Sequence, residues 1–146
     1  MIKVILLGSG NVATHLFQAF SKVSEVEVVQ VFSRTISKDF PKSIQTSDFT
    51  QILEADIYII CVSDNAIAAV SNQLQFENRL VVHTSGSTDF DVLNVKNKRG
   101  VFYPLQTFSK NKAVDFKEIP ICLETENPSD YAILEKLASS ISNSVN

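Results

Sequence analysis

The first two dozen residues constrain the fold more than any other stretch. Ile2-Lys3-Val4-Ile5-Leu6-Leu7 is a short apolar run that stops at Gly8-Ser9-Gly10-Asn11-Val12-Ala13. Behind that loop Val12, Leu16, Ala19, Phe20 and Val23 recur at the spacing of one helix face. Strand, glycine turn and amphipathic helix, in that order, open an α/β unit. In this context G-x-G-x-x-A gives each small residue a task. Gly8 allows the tight turn, Gly10 lets the backbone approach a pyrophosphate, and Ala13 lets the helix press on the sheet. Unpaired N–H groups and the helix dipole then favour phosphate at the helix start. Such loops also make plain turns; the flanking strand and helix favour the dinucleotide reading.

The remaining chain repeats the alternation. Strands are predicted at Glu27–Phe32, Ile57–Val62, Leu80–His83 and Val101–Leu105, with a sixth at Ile119–Glu124 and a very short one at Ser43–Gln45. Helices are predicted at Ala66–Leu74 and Asp89–Val95, with a short one at Thr50–Ala55. Asn127-Pro128 supplies a start signal for a last helix along Tyr131, Leu134, Leu137, Ala138 and Ile141. The expected fold is a doubly wound α/β domain with a mostly parallel sheet and helices on both faces. Gln106–Glu118 reads as a loop near a site. The 146 residues make one domain, and the last helix is expected to hand over to a further strand or second domain, as in a truncated chain.

Composition removes several classes of function. Thirteen Lys plus Arg face sixteen Asp plus Glu, for a net charge of −3 with no basic stripe, which argues against a nucleic-acid partner. The longest apolar stretch, Ile57–Val62, is far too short for a membrane span, and the N-terminal run is too short for a signal peptide. Cys61 and Cys122 lie inside apolar runs and read as buried, reduced thiols of a cytoplasmic protein. No zinc spacing, Ser-His-Asp order or Walker loop occurs.

Strand ends mark the candidate site. Domains that bind NAD carry an acid at the end of the second strand; here Val31-Phe32-Ser33-Arg34-Thr35 has none. Arg34 offers a guanidinium to a 2′-phosphate, and Ser33 and Thr35 offer hydroxyls, so NADP is the expected cofactor; the other reading is a solvated loop arginine. The missing acid also argues against an S-adenosylmethionine methyltransferase. Val62, Ser63 and Asp64 follow the Ile57 strand, where Asp64 either caps the next helix or joins the site. His83, Thr84, Ser85 and Gly86 are expected beside the nicotinamide. His83 or Ser85 is a candidate proton donor; alternatively the histidine bonds backbone and the serines form turns. His15, on the first helix, is expected to face solvent.

Gly8-Ser9-Gly10-Asn11-Val12-Ala13, Cys61-Val62-Ser63-Asp64, His83-Thr84-Ser85-Gly86 and Tyr103-Pro104-Leu105-Gln106-Thr107-Phe108 together resemble a bacterial Rossmann-like oxidoreductase family. That family is related to pyrroline-5-carboxylate reductase and to deazaflavin-dependent NADP reductases, and the resemblance covers nearly the whole chain. It implies NADP on Gly8–Ala13 and Ser33–Thr35, and a nicotinamide wall from Val62–Asp64 and His83–Gly86. Many members show His-Pro-Leu where this chain has Tyr103-Pro104-Leu105, so the side chain here can hydrogen bond but departs from the pattern. Members also carry a helical C-terminal domain for the substrate pocket and the dimer, which lies outside these residues. The expected function is an NADP-dependent oxidoreductase acting on a small imine or carbonyl compound. The competing readings are a non-catalytic dinucleotide sensor and a fragment inactive without its other half.

Overall fold

A computed structural model describes residues 1–108 and 114–146. The strands are β1 Ile2–Leu7, β2 Val26–Phe32, β3 Gln45–Thr46, β4 Ile57–Ile60, β5 Leu80–His83, β6 Lys98–Pro104 and β7 Ile121–Thr125; the helices are α1 Asn11–Ser21, α2 Ile67–Gln73 and α3 Tyr131–Ile141. One sheet holds all seven strands in the order β3-β2-β1-β4-β5-β6-β7. Every pairing is parallel except β6 with β7. The chain winds outward from β1 in both directions, so the switch point of this doubly wound sheet lies between β1 and β4.

The strands read as continuous apolar runs because they are covered on both faces. β4 and β5 are buried throughout, and β1 at every position but Lys3. Val4, Leu6, Ile57, Ile59 and Val82 face α1 and α3, where they meet Ala13, Leu16, Phe20, Leu134 and Leu137. Ile5, Leu7, Tyr58, Ile60 and Val81 face the other way, onto Ile67 and Val70 of α2. Leu6 is wholly buried in this packing. Its truncation to alanine costs about 2–5 kcal/mol, a large share of the stability of a domain this size.

Register places the site. Phe32, Leu7, Ile60, His83 and Val101 pair in one row across five strands. The residues just beyond the row therefore emerge together at the carboxyl edge of the sheet.

Two predicted helices are single 3₁₀ turns. Phe49–Gln51 forms one because the Asp48 carboxylate accepts from the Thr50 N–H at 2.9 Å and its hydroxyl at 2.7 Å, after which Ile52 is extended. Phe90–Val92 forms the other, ended by extended Leu93. The Ala66–Leu74 segment begins earlier, as a 3₁₀ turn over Asp64–Ala66 that runs into α2. Pro128–Asp130 likewise leads into α3. Beyond α3 the chain pairs in parallel with β7 through an Ile121–Val145 bridge. Cys61 is buried as expected, but Cys122 is only half-buried, because β7 lies near the sheet's edge; neither is in a disulfide.

Candidate functional site

Gly8 sits at φ +125°, where side chains are strained. A Cβ there would lie 2.7 Å from the Cys61 carbonyl oxygen and 3.1 Å from Val62 Cγ1. The Gly8 N–H donates to the Phe32 carbonyl and the Cys61 N–H to the Leu7 carbonyl, both at 2.8 Å. The loop is thus stitched to β2 on one side and β4 on the other, and only glycine fits the seam.

Gly10 is different. Its φ of −80° is open to any residue, and a Cβ there would meet nothing within 4 Å. It caps α1 through backbone alone, its carbonyl accepting from the Thr14 N–H at 3.0 Å and the Thr14 hydroxyl at 2.9 Å. The first N–H groups of a helix have no partner inside it, and no acidic side chain occupies the first turn of α1. The space that a side chain at Gly10 would fill is therefore an open cradle before a helix start that favours negative charge, which suits a pyrophosphate.

Ser33, buried just past β2, holds this loop in place. Its hydroxyl lies 3.0 Å from Ser9 Oγ and donates to the Thr35 carbonyl in a short contact. Arg34 and Thr35 beside it are exposed, and Arg34 joins none of the ion pairs among the described residues. The guanidinium is available to an outside anion next to the glycine loop.

The loop after β5 takes the second of the two forms considered for it, with the histidine on backbone. His83 is fully buried. Its Nδ1 accepts from the Ser85 N–H at 3.0 Å, which places the ring proton on Nε2, 3.1 Å from the Asp89 carbonyl. Neither nitrogen is free for a ligand, and burial pushes the imidazole below its ordinary value, so the ring is neutral. The Ser85 hydroxyl is engaged within the loop, donating to Thr88 Oγ1 at 3.0 Å and lying 3.3 Å from Ser87 Oγ. Asp64 does not cap a helix. Its carboxylate accepts from the Ser87 hydroxyl at 3.0 Å and ties the loop after β4 to the loop after β5. Val62 is half-buried beneath this tie, and Ser63 is exposed with its hydroxyl on Asn65.

These loops enclose a cavity of about 360 Å³ between the start of α1 and the end of β6, lined by Val12, Asp64, Thr84, Gly86, Tyr103 and Thr107 among others. Tyr103 follows from the same strand-end logic once β6 is recognised as paired with β5. A larger concavity of about 870 Å³ lies away from the strand ends, between α1 and the Val114–Lys117 segment. His15 borders it but does not face solvent, because its ring packs 5.0 Å from that of Phe108. Phe108 in turn stacks on Phe116 at 5.5 Å, and Asn11 Nδ2 donates to the Phe108 carbonyl at 3.3 Å. The predicted loop at Gln106–Glu118 thus returns to α1 at both its described ends; residues 109–113 lie outside the described ones. Among the described residues no group of acidic, histidine and cysteine side chains could hold a metal, and no helix is long and apolar enough to cross a membrane.

The sequence matches no family profile and no curated protein. Solved structures are informative. A Bacteroides fragilis protein described as a candidate NADP oxidoreductase is 36% identical over 99% of this chain and 60% of its own, with a TM-score of 0.85. The Plasmodium falciparum pyrroline carboxylate reductase solved with NADP bound is 15% identical over 99% of this chain and 56% of its own, with a TM-score of 0.77. The chain's structural neighbours include NADP oxidoreductases of the pyrroline carboxylate reductase type. The A. aeolicus prephenate dehydrogenase solved with NAD+ has the same fold at 10% identity over 100% of this chain and 59% of its own, with a TM-score of 0.73. Proteins of this fold thus include one solved with NADP and one with NAD+. This chain spans about 60% of the length of these proteins.

Proposed function

We propose that residues 1–146 are the NADP-binding domain of an oxidoreductase acting on a small imine or carbonyl compound, with a helical domain outside this chain completing the substrate pocket and any dimer. The observation that carries this reading is the open cradle at Gly10, pinned by the Ser9–Ser33 contact beside an unpaired Arg34. Gly8, Ser9, Gly10, Asn11, Val12 and Ala13 would hold the pyrophosphate. Ser33, Arg34 and Thr35 would hold the 2′-phosphate. Val62, Ser63 and Asp64, with Thr84 and Gly86, would line the nicotinamide side. The cofactor, when bound, supplies the hydride chemistry; the protein orients it and excludes water. His83 and Ser85 support the wall from within, through the hydrogen bonds that fix the loop.

Calorimetry with NADPH and NADH tests the reading. A charged hydrogen bond to phosphate contributes roughly 1.5–3 kcal/mol, so NADPH should bind about ten- to a hundredfold more tightly. Equal affinities, or tighter NADH, would defeat it. One observation favours a second reading, a dinucleotide sensor without turnover: both nitrogens of His83, the candidate proton donor, are held by backbone. NADPH oxidation by the full-length protein with any of a panel of imines and ketones decides for the enzyme.

A further inference from the structure

Gly86 has no need of glycine's backbone freedom, since Gly8 is the one glycine at positive φ among the described residues. What it provides is room. A Cβ at Gly86 would lie 2.3 Å from Tyr103 Cε2 and 2.4 Å from Cζ, so the phenol ring rests directly against this loop. Tyr103 stands two residues beyond Val101, which pairs with His83, and so projects past the strand ends into the cavity. The other hydroxyls of the loop are committed: Ser85 to Thr88, and Ser87 to Asp64. Tyr103 is half-buried, and its hydroxyl has no hydrogen bond among the described residues. Thr84 and Gln106 also border the cavity, but a phenol is more acidic than an alkyl hydroxyl or an amide, and hence the stronger donor. Among the described residues no lysine or arginine lines this cavity, and Tyr103 is the phenol that does.

We infer that the Tyr103 hydroxyl donates the hydrogen bond that fixes the carbonyl oxygen or imine nitrogen of the substrate, and that Gly86 exists to seat its ring. The inference rests on the functional reading above and adds to it the residue that recognises the reacting group.

The test uses the full-length protein labelled with 3-fluorotyrosine. This region contributes three tyrosines, Tyr58, Tyr103 and Tyr131, and Tyr103→Phe identifies the resonance of interest. NADPH and NADP+ carry the same phosphates and differ in the charge of the nicotinamide ring. The Tyr103 fluorine should move when NADPH binds and take a different position with NADP+. Tyr58, buried on the α2 face, and Tyr131, on α3, should differ little between the two. Gly86→Ala, which displaces the phenol, should shift the Tyr103 resonance of the free protein and erase its difference between the two cofactors. With 1-pyrroline-5-carboxylate as the probe substrate, Tyr103→Phe should lower kcat/KM by about a hundredfold, as loss of a donor to a developing charge does, with NADPH affinity unchanged. A Tyr103 resonance indifferent to a cofactor that calorimetry shows to be bound overturns the inference, and so does a parental kcat/KM in Tyr103→Phe. Absence of calorimetric binding overturns the functional reading instead.

Discussion

Gly8 and Gly10 are two residues apart, and the structure separates their roles by stability and by binding. Gly8→Ala places a Cβ 2.7 Å from a backbone oxygen, at φ +125°. The conformation alone costs on the order of 1–3 kcal/mol in a residue with a side chain. The overlap adds about 1–3 kcal/mol, because the Cys61 carbonyl belongs to the seam between β1 and β4 and cannot swing aside. The sum, roughly 2–6 kcal/mol, should lower the Tm by about 5–25 °C in a domain of this size. Gly10→Ala meets open space. A weaker helix cap is offset by a less flexible unfolded chain, each of these terms being about 1 kcal/mol or less. Its stability should stay within about 1 kcal/mol of the parent, while Gly10→Val should abolish NADPH binding with the fold intact. Far-ultraviolet circular dichroism against temperature reads the first effect, and calorimetry the second. A Gly8→Ala protein as stable as the parent would refute the close approach of the two strands. A folded Gly10→Val protein with parental NADPH affinity would show that the loop is only a turn.

Arg34→Ala should weaken NADPH binding about ten- to a hundredfold and leave NADH nearly unchanged, as titration of both cofactors would show. His83 gives the stability a pH dependence. Its folded imidazole titrates below the ordinary 6.5, chiefly through burial, so the unfolded chain takes up a proton that the folded one refuses. The stabilisation is complete above about pH 6.5 and is lost as pH falls from there through the lower folded value, with a slope of at most about 1.4 kcal/mol per pH unit. His83→Gln should flatten that part of the Tm profile between pH 5 and 7; parallel profiles would contradict the assignment. Ser33→Ala should cost about 1 kcal/mol in denaturant unfolding and loosen the glycine loop, with weaker NADPH binding in the same titration.

Much of the fold was legible because local pattern and tertiary burial agree. β1 and β5 fall at their predicted residues, since a strand covered on both faces must be an uninterrupted apolar run. The predicted helices at Thr50–Ala55 and Asp89–Val95 are single turns because an extended residue, Ile52 in one and Leu93 in the other, ends each within one turn. β6 begins at Lys98, ahead of its apolar residues, because pairing with Leu80 and not hydrophobicity sets its start. At the site, the glycine loop announced itself through three small residues at fixed spacing. For His83 two readings stayed open, a proton donor and a histidine bonded to backbone, because its partners are backbone groups of Ser85 and Asp89, and no side-chain pattern chooses between them. His15 was misplaced for a related reason: Phe108, which covers it, is 93 positions along the chain.

A crystal structure of the protein with NADPH tests the central claim most directly. The pyrophosphate should lie over Gly10 at the start of α1, the 2′-phosphate within hydrogen-bond distance of Arg34, and the nicotinamide beside Thr84 and Gly86. A nicotinamide more than about 10 Å from residues 83–86, beyond the reach of a hydrogen bond or one bridging water, would contradict the account, as would a 2′-phosphate facing solvent.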